Sequence, residues 1–242
     1  MPVFNALESV KKTLQAVVSN TDNLYEIIIV DDSSEEETRA FIDGLRIDDA
    51  LEVRLVKTRN PRHSWTNASW NKGVALASGD YIAVMNSDIW VPRGWDSELI
   101  SLLDGKHCSV ACPLERKGDT SFAVDSLIAE VHPGMIKGAL FMFRRQETKK
   151  FFPIPENLVH WCGDNYIADR AWEKGKGVTF AAGAIITHYI TQSGRLIDPE
   201  IYKQTCYKDV IEYQTMSGRD MTKIIEQIMP SALQRDTESQ GD

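Results

Sequence analysis

The chain lacks several things that would have settled its class at once. It has no long basic block, no CxxC pair and no apolar run approaching the ~20 residues of a membrane-spanning helix. Acidic residues outnumber basic ones 35 to 27 over 242 residues, a formal net charge of −8, which argues against a dedicated nucleic-acid surface. A small anionic ligand stays open, because it answers to local field rather than to net charge. The chain has no GxGxxG after an apolar run and no GxxxxGK[ST], so the dinucleotide and P-loop routes to a phosphate are weak. No signal peptide pattern opens it, and there is no internal repeat or low-complexity linker. The four cysteines, Cys108, Cys112, Cys162 and Cys206, read as reduced, buried thiols of a cytoplasmic protein. A partial metal site at Cys108 and Cys112 with His107 is the lesser alternative.

What is present is an ordinary globular composition, 43% hydrophobic and 26% charged, enough for one large domain or a domain with an appendage. Residues 26–30 (EIIIV) form the continuous apolar run of a strand buried on both faces. Ser34 and Glu37 have capping-box spacing ahead of a helix through Phe41, Ile42 and Leu45. Residues 51–56 alternate as a strand. Trp70, Val74 and Ala77 make a helical stripe ending at Gly79, and residues 81–85 form the next strand. Pro92 suits a first helical turn with Trp95, Leu99 and Leu102 on one face. Before all this, Leu7, Val10, Leu14 and Val17 mark an amphipathic helix. Strand and helix alternating in units of about thirty residues indicate an α/β fold with a parallel sheet. The second half is less regular. Residues 109–113, 138–143 and 178–182 are short strands, residues 164–174 a helix, and the chain after Pro199 reads as polar helix with a frayed tail over 237–242.

Two strands end in acid. Residues 26–30 run into Asp31-Asp32, and residues 81–85 into Asn86-Ser87-Asp88. In open α/β sheets ligands bind beyond the carboxyl ends of the strands. A carboxylate site there needs a cation between itself and a phosphate, and hard divalent metals take such a site with one or two carboxylates plus the phosphate oxygens.

Seven segments, in order, resemble the family 2 glycosyltransferases, which are inverting enzymes of the GT-A fold. Pro2-Val3-Phe4-Asn5 is similar to the end of the family's first strand, and residues 26–34 (EIIIVDDSS) to its second strand and nucleoside turn. Asn71-x-Gly73 through Gly79-Asp80-Tyr81-Ile82 resembles the next conserved stretch, and Asn86-Ser87-Asp88 falls at the DxD motif. Residues 137–142 (KGALFM) resemble the strand before the acceptor site, Gly163-Asp164 the "ED" helix, and His188 with Ser193-Gly194 the late histidine segment. The match covers about residues 2–195. There are departures: Asn86 stands for the first DxD aspartate, Gly163 for the glutamate of "ED", and the first strand is so short that residues upstream of Met1 are expected to belong to it.

The resemblance implies a single Rossmann-like GT-A domain over residues 1–198, with a mostly parallel central sheet flanked by helices. Its nucleotide-binding half is about residues 1–89 and its acceptor half about 90–198; residues 199–242 are a helical appendage. It also implies a hexosyltransferase-type reaction (EC 2.4), in which a UDP-, dTDP- or GDP-linked sugar passes to a hydroxyl of a glycan or other acceptor with help from Mn²⁺ or Mg²⁺. Asp88 and His188 are the implied metal ligands and Asp164 the catalytic base. Pro2, Phe4, Asn5, Asp31, Asp32, Asn71, Asn86 and Ser87 are the implied nucleotide contacts, and Gly138, Ala139, Trp161 and Gly163 face the acceptor. His160 joins Trp161 as a pocket candidate, and Arg195 is a candidate diphosphate donor. Each has a plainer alternative: a turn or cap aspartate at Asp88, a helix-start cluster at Asp31-Asp32, an N-cap at Asp164, a structural histidine at His188, a surface arginine at Arg195. Two other functions also fit. One is a GT-A-fold binding protein without catalysis, which Asn86 and Gly163 favour. The other is a sugar nucleotidyltransferase, although that class wants a Gly-rich basic loop near the N-terminus and residues 1–20 offer none.

Overall fold

The computed structural model of the chain describes all residues except 24, 49–50, 120, 129–134, 190–191 and 229–242, so the expected frayed tail lies outside the described residues. The elements run β1 (Pro2–Val3), α1 (Leu7–Asn20), β2 (Glu26–Asp31), α2 (Glu36–Gly44), β3 (Arg54–Arg59), α3 (Trp65–Leu76), β4 (Tyr81–Met85), β5 (Ile89–Trp90), α4 (Trp95–Asp104), β6 (Val110–Gly118), β7 (Val124–Ile128), β8 (Leu140–Arg144), α5 (Thr148–Phe151), α6 (Gly163–Lys174), β9 (Val178–His188), α7 (Pro199–Ser217) and α8 (Thr222–Ile228).

β1, β2 and β3 form a wholly parallel three-stranded sheet. The second sheet runs β4-β8-β6-β9-β5, with β7 beside β6. It is mixed: β6 and β9 are parallel, and its other pairs are antiparallel. Strand periodicity explains how one sheet serves two cores. Ile82 and Val84 of β4, with Phe141 and Phe143 of β8, face a cluster under α3, α6, α7 and α8. Met85 of β4, with Leu140 and Met142 of β8, faces a second cluster with α1 and α4. Helices therefore cover both faces. Truncating a fully buried ring such as Phe143 to alanine costs about 3–5 kcal/mol in sites of this kind.

Several boundaries differ from the pattern read in the sequence, each for a local reason. No side chain caps α2; Ser34 instead accepts a hydrogen bond from the Asn5 N–H (2.9 Å), so its hydroxyl ties β1 to the turn after β2. β3 lies three residues later than the alternation suggested, because Glu26↔Arg54 through Asp31↔Arg59 is the register that pairs it fully with β2. Pro92 precedes α4 rather than opening it, and the helix starts after Gly94 at φ 73°. Its buried stripe is Trp95, Leu99 and Leu103, with Leu102 partly buried beside it. The two apolar runs near residues 178 and 184 are one strand, β9, whose pairing with β6 shifts between Pro113 and Leu114.

The C-terminal helices are built into the second core. Val210 and Tyr213 of α7 are buried there, and the Tyr213 hydroxyl donates to Asp169 of α6 (2.5 Å). Asp209 accepts backbone N–H groups from Val159, His160 and Trp161 at 3.0, 2.7 and 2.7 Å. One carboxylate of α7 thus fixes the segment that leads into α6.

Candidate active site

A cavity of about 520 Å³ opens at the carboxyl ends of β1, β2 and β4. From residues 1–89 it is lined by Pro2, Phe4, Asp32, Asn86, Ser87 and Asp88. From the rest of the chain Gly138, Ala139, Trp161, Gly163, Asp164 and His188 reach it, together with His160.

Asp88 and His188 meet because β5 pairs with the far end of β9, Ile89 opposite His188, which sets the histidine beside the residue before β5. His188 Nε2 lies 3.3 Å from Asp88 Oδ1, and its Nδ1 lies 3.2 Å from Glu115 Oε1. Burial alone would lower the His188 pKa, but hydrogen bonds to Asp88 and Glu115, and their charges, outweigh it and raise the value to about 10. The other Asp88 oxygen takes the Gln192 N–H at 3.3 Å. Both Asp88 contacts are longer than the 2.7–2.9 Å usual for a charge-assisted bond. Among the described residues no three His, Cys, Asp or Glu side chains gather as a metal site, and Cys108 and Cys112 are buried free thiols. The donor set still fits a hard divalent ion of the kind that completes its shell with substrate phosphates. Asp88 and His188 Nε2 could supply two ligands, with Glu115 on the opposite ring nitrogen, as carboxylates stand behind metal-bound histidines.

Asp164 is the second residue of α6, and Cys162 occupies the N-cap position at φ 59°, so Asp164 is not the cap. Its Oδ1 accepts the Asn165 N–H (2.9 Å). Burial raises its pKa, the negative charge of Glu115 adds to the rise, and backbone N–H groups of Asn165, Asp164 and Gly138 offset part of it. A Cβ on Gly138 would stand 3.0 Å from Asp164 Oδ2; glycine lets the backbone approach the carboxylate this closely. A Cβ on Gly163 would collide with the Asn67 side-chain oxygen. Asn67 fills that space while its Nδ2 donates to the carbonyls of Leu158 (3.0 Å) and Trp161 (3.2 Å).

Three predicted nucleotide contacts are not brought to the cavity. Asn71 is committed to Ile154: its Nδ2 donates to the carbonyl and its Oδ1 accepts the N–H, both at 2.8 Å. Asp31 is fully buried and holds Arg59 Nε (2.5 Å) and the Ser34 N–H (2.9 Å). Asn5 accepts the Glu35 N–H on its Oδ1 (2.7 Å). Asp32 does line the cavity, yet its oxygens already accept from Asn60 Nδ2 (2.7 Å) and the N–H groups of Ser64 (2.9 Å) and Trp65 (2.8 Å). Burial would raise its pKa, but these bonds and His63, 2.8 Å away, win and lower it. Arg195 is exposed, does not line the cavity, and its charge acts on Asp119.

The structure adds residues the sequence reading passed over: Glu115, His63, Trp65, Thr66 and Tyr202. His63 and Trp65 lie in the turn after Asn60 that leads into α3, and the polar-aromatic cluster there is a signal that could have found them. Glu115 and Tyr202 carry no local signal.

A model of glycosyl transferase family 2 matches residues 1–172. The chain belongs to that family. Among curated relatives it is 24% identical over 211 residues to glycosyltransferase AglE of Haloferax volcanii, covering 81% of this chain and 68% of that one. It is 24% identical over 123 residues to the GalNAc(5)-diNAcBac-PP-undecaprenol β-1,3-glucosyltransferase of Campylobacter jejuni, covering 50% of this chain but 39% of that protein. Among solved structures, GalNAc-T7 with UDP, GalNAc and Mn²⁺ superposes with a TM-score of 0.66 at 15% identity, over 98% of this chain and 56% of the other. The mannosyltransferase PcManGT of Pyrobaculum calidifontis with GDP-Man and Mn²⁺ gives 0.64 at 12%, over 87% and 61%. These neighbours establish the GT-A fold, and the chain spans less than two thirds of the length of either structure. Among the described residues no helix is long and apolar enough to cross a membrane.

Proposed function

We propose that this chain is an inverting, metal-assisted glycosyltransferase of the hexosyl-transferring kind (EC 2.4), taking a sugar from a nucleotide-diphosphate donor to a hydroxyl of a glycan or other acceptor. The observation that carries the reading is that Asp88 and Asp164 stand in the walls of one cavity, in unlike settings. Asp88 has long contacts and a histidine beside it, as a metal ligand needs. Asp164 sits at a helix N-terminus with its pKa raised, which suits a general base.

Phe4, Asp32 and His63 wall the nucleoside end, with Pro2, Asn86 and Ser87 beside them. Asp88 and His188 would hold Mn²⁺ or Mg²⁺. Bound there, the ion supplies Lewis-acid stabilisation of the charge on the departing diphosphate. Asp164 takes the proton from the acceptor hydroxyl as that oxygen bonds to the anomeric carbon and the carbon–phosphate-oxygen bond breaks. Gly138 donates its N–H to Asp164 and Gly163 leaves room for the Asn67 side chain behind it, while Ala139, His160 and Trp161 line the acceptor side. In this reading the nucleotide half is residues 1–89 and the acceptor half 90–198, with α7 and α8 closing the acceptor side. Mn²⁺ in GalNAc-T7 and PcManGT, and UDP, UDP-GlcNAc and GDP-Man in solved neighbours, support the donor class. Four unpaired buried cysteines support a cytoplasmic setting.

A panel of UDP-, dTDP- and GDP-sugars with Mn²⁺ tests the reading, with product configuration read by NMR. Inversion at the anomeric carbon is the expected result. Retention overturns the mechanism, and nucleotide binding without turnover of any donor replaces it with a binding role.

A further inference from the structure

Trp65 opens α3 and lines the cavity with its backbone at φ 69°. That left-handed region crowds any side chain, and for a bulky one it is an outlier that glycine would relieve. Two sets of contacts hold the residue in place. Asp32 accepts the N–H groups of Ser64 and Trp65, and Asn67, two residues on, donates its backbone N–H to Val159 (3.0 Å) and its amide to Leu158 and Trp161. Strain of this kind persists where the surroundings over-determine it, and it gathers at ligand sites.

The ring belongs to a row. Centroids of Phe4 and His63 are 4.1 Å apart, His63 and Trp65 4.6 Å, Trp65 and His160 5.2 Å, His160 and Tyr202 5.1 Å. It runs from the end of β1 to α7, past both the Asp32 turn and the segment that delivers Asp164. Nε2 of His63 and of His160, on either side of Trp65, are buried without a hydrogen-bond partner among the described residues, which is uncommon for buried polar atoms. The row is made of tilted rings, 37° to 69° between neighbouring planes, in which the Trp65 indole is the broadest flat face and the histidines add ring nitrogens, inside a cavity that Asp32, Asp88, Glu115 and Asp164 also line. A pyranose has the matching shape: an aliphatic C–H face with hydroxyls around its rim.

We propose that Trp65 is the platform against which a pyranose lies by its C–H face, with His63 and His160 flanking it. This rests on the transferase reading for which sugar is meant. The donor's sugar and the acceptor's sugar share this chemistry, and binding measurements separate them.

Three variants are compared by calorimetry in Mn²⁺ against UDP, UDP-GlcNAc, GDP and GDP-mannose, and by saturation-transfer NMR against methyl β-glucopyranoside and methyl α-mannopyranoside. Trp65→Leu keeps apolar bulk and the strained backbone but has no aromatic face. Trp65→Phe keeps a face. Trp65→Gly relaxes the backbone and removes the ring. Trp65→Leu and Trp65→Gly should lose roughly tenfold in affinity for the sugar-bearing probe while the bare nucleotide is unaffected, with Trp65→Phe within about twofold of wild type. Trp65→Gly should melt within about 4 °C of wild type, because relief of strain offsets the lost ring. Loss on a nucleotide sugar but not on its nucleotide assigns the donor; loss on a methyl pyranoside alone assigns the acceptor. Leu and Phe variants that behave alike overturn the proposal, as does a wild-type protein that binds no sugar-bearing probe better than its nucleotide and binds no methyl pyranoside. Wild-type protein that binds a methyl pyranoside through Trp65 and no nucleotide keeps this inference and removes the transferase reading. Nucleotide-sugar turnover with variants indifferent does the reverse.

Discussion

At the end of β2, Asp31 and Asp32 accept bonds of 2.5 to 2.9 Å from Arg59, Ser34, Asn60, Ser64 and Trp65; after β4, Asp88 has two contacts of 3.3 Å. The two clusters occupy equivalent strand ends and read alike in sequence. The first is saturated by the protein and builds the wall of the cavity at the end of β2. The second keeps its oxygens loosely engaged at the cavity. A carboxylate whose bonds are all made is a structural part, and one held at long range beside a histidine has capacity left for a cation. Asp164 is a third case, oriented by backbone N–H groups, with burial and the charge of Glu115 holding its pKa up.

Substitutions at these acids separate the cases. Asp164→Asn keeps the shape and removes the basic oxygen. Turnover should fall about 10²–10⁴-fold with nucleotide affinity nearly unchanged, as single-turnover rates and titrations will show. Because Asp164 is raised, the acid limb of the wild-type rate profile should lie above the ordinary carboxylate range. Glu115→Gln removes a charge that contributes to the rise and should move that limb to lower pH. Asp32→Asn should cost roughly 2–4 kcal/mol in denaturant unfolding, since an amide nitrogen would face the donors of Asn60, Ser64 or Trp65. If Asp32→Asn melts like wild type, the saturated-wall description of the first cluster fails.

The sequence carried most of the order of the elements and the two cavity acids Asp88 and Asp164, because short local patterns encode them: an apolar run stopped by acid at Asp88, a glycine and aspartate opening a helix at Asp164. It did not carry Glu115, whose approach to His188 depends on a register shift between β6 and β9, or Tyr202, which arrives from α7. Asn71 matched a motif while its amide is taken up by the Ile154 backbone. Gly163 reads in sequence as a missing side chain. In the fold its space belongs to Asn67, ninety-six positions earlier by number, and no local pattern links the two.

That pairing gives a smaller effect. Gly163→Ala should destabilise by about 1–3 kcal/mol through overpacking, and Asn67→Gly in the same chain should recover part of the loss. Additive melts would show that the two do not share the space. The smallest effect is on acid stability. Burial lowers the His160 pKa to about 4, with the charge of His63 adding to the shift, so the neutral ring contributes stability that is present above pH 6.5 and lost as pH falls through about 4. His160→Gln should flatten the stability profile across that window.

His188 behaves oppositely. With its pKa raised to about 10, the protonated ring contributes stability to the metal-free protein below pH 6.5, and the contribution is lost as pH rises through about 10. A metal needs the neutral ring, so metal affinity at Asp88 and His188 should climb with pH over the same range. The most direct measurement is therefore calorimetric titration of UDP and GDP into wild type and Asp88→Ala, in Mn²⁺ and then in EDTA. The account predicts that whichever nucleotide binds wild type does so at least about tenfold more weakly in EDTA. It also predicts that Asp88→Ala binds weakly and equally in both buffers while remaining folded, with a lower melting temperature in the metal-free protein because His188 loses a partner. Equal wild-type affinity with and without metal, or a metal response kept by Asp88→Ala, would contradict it.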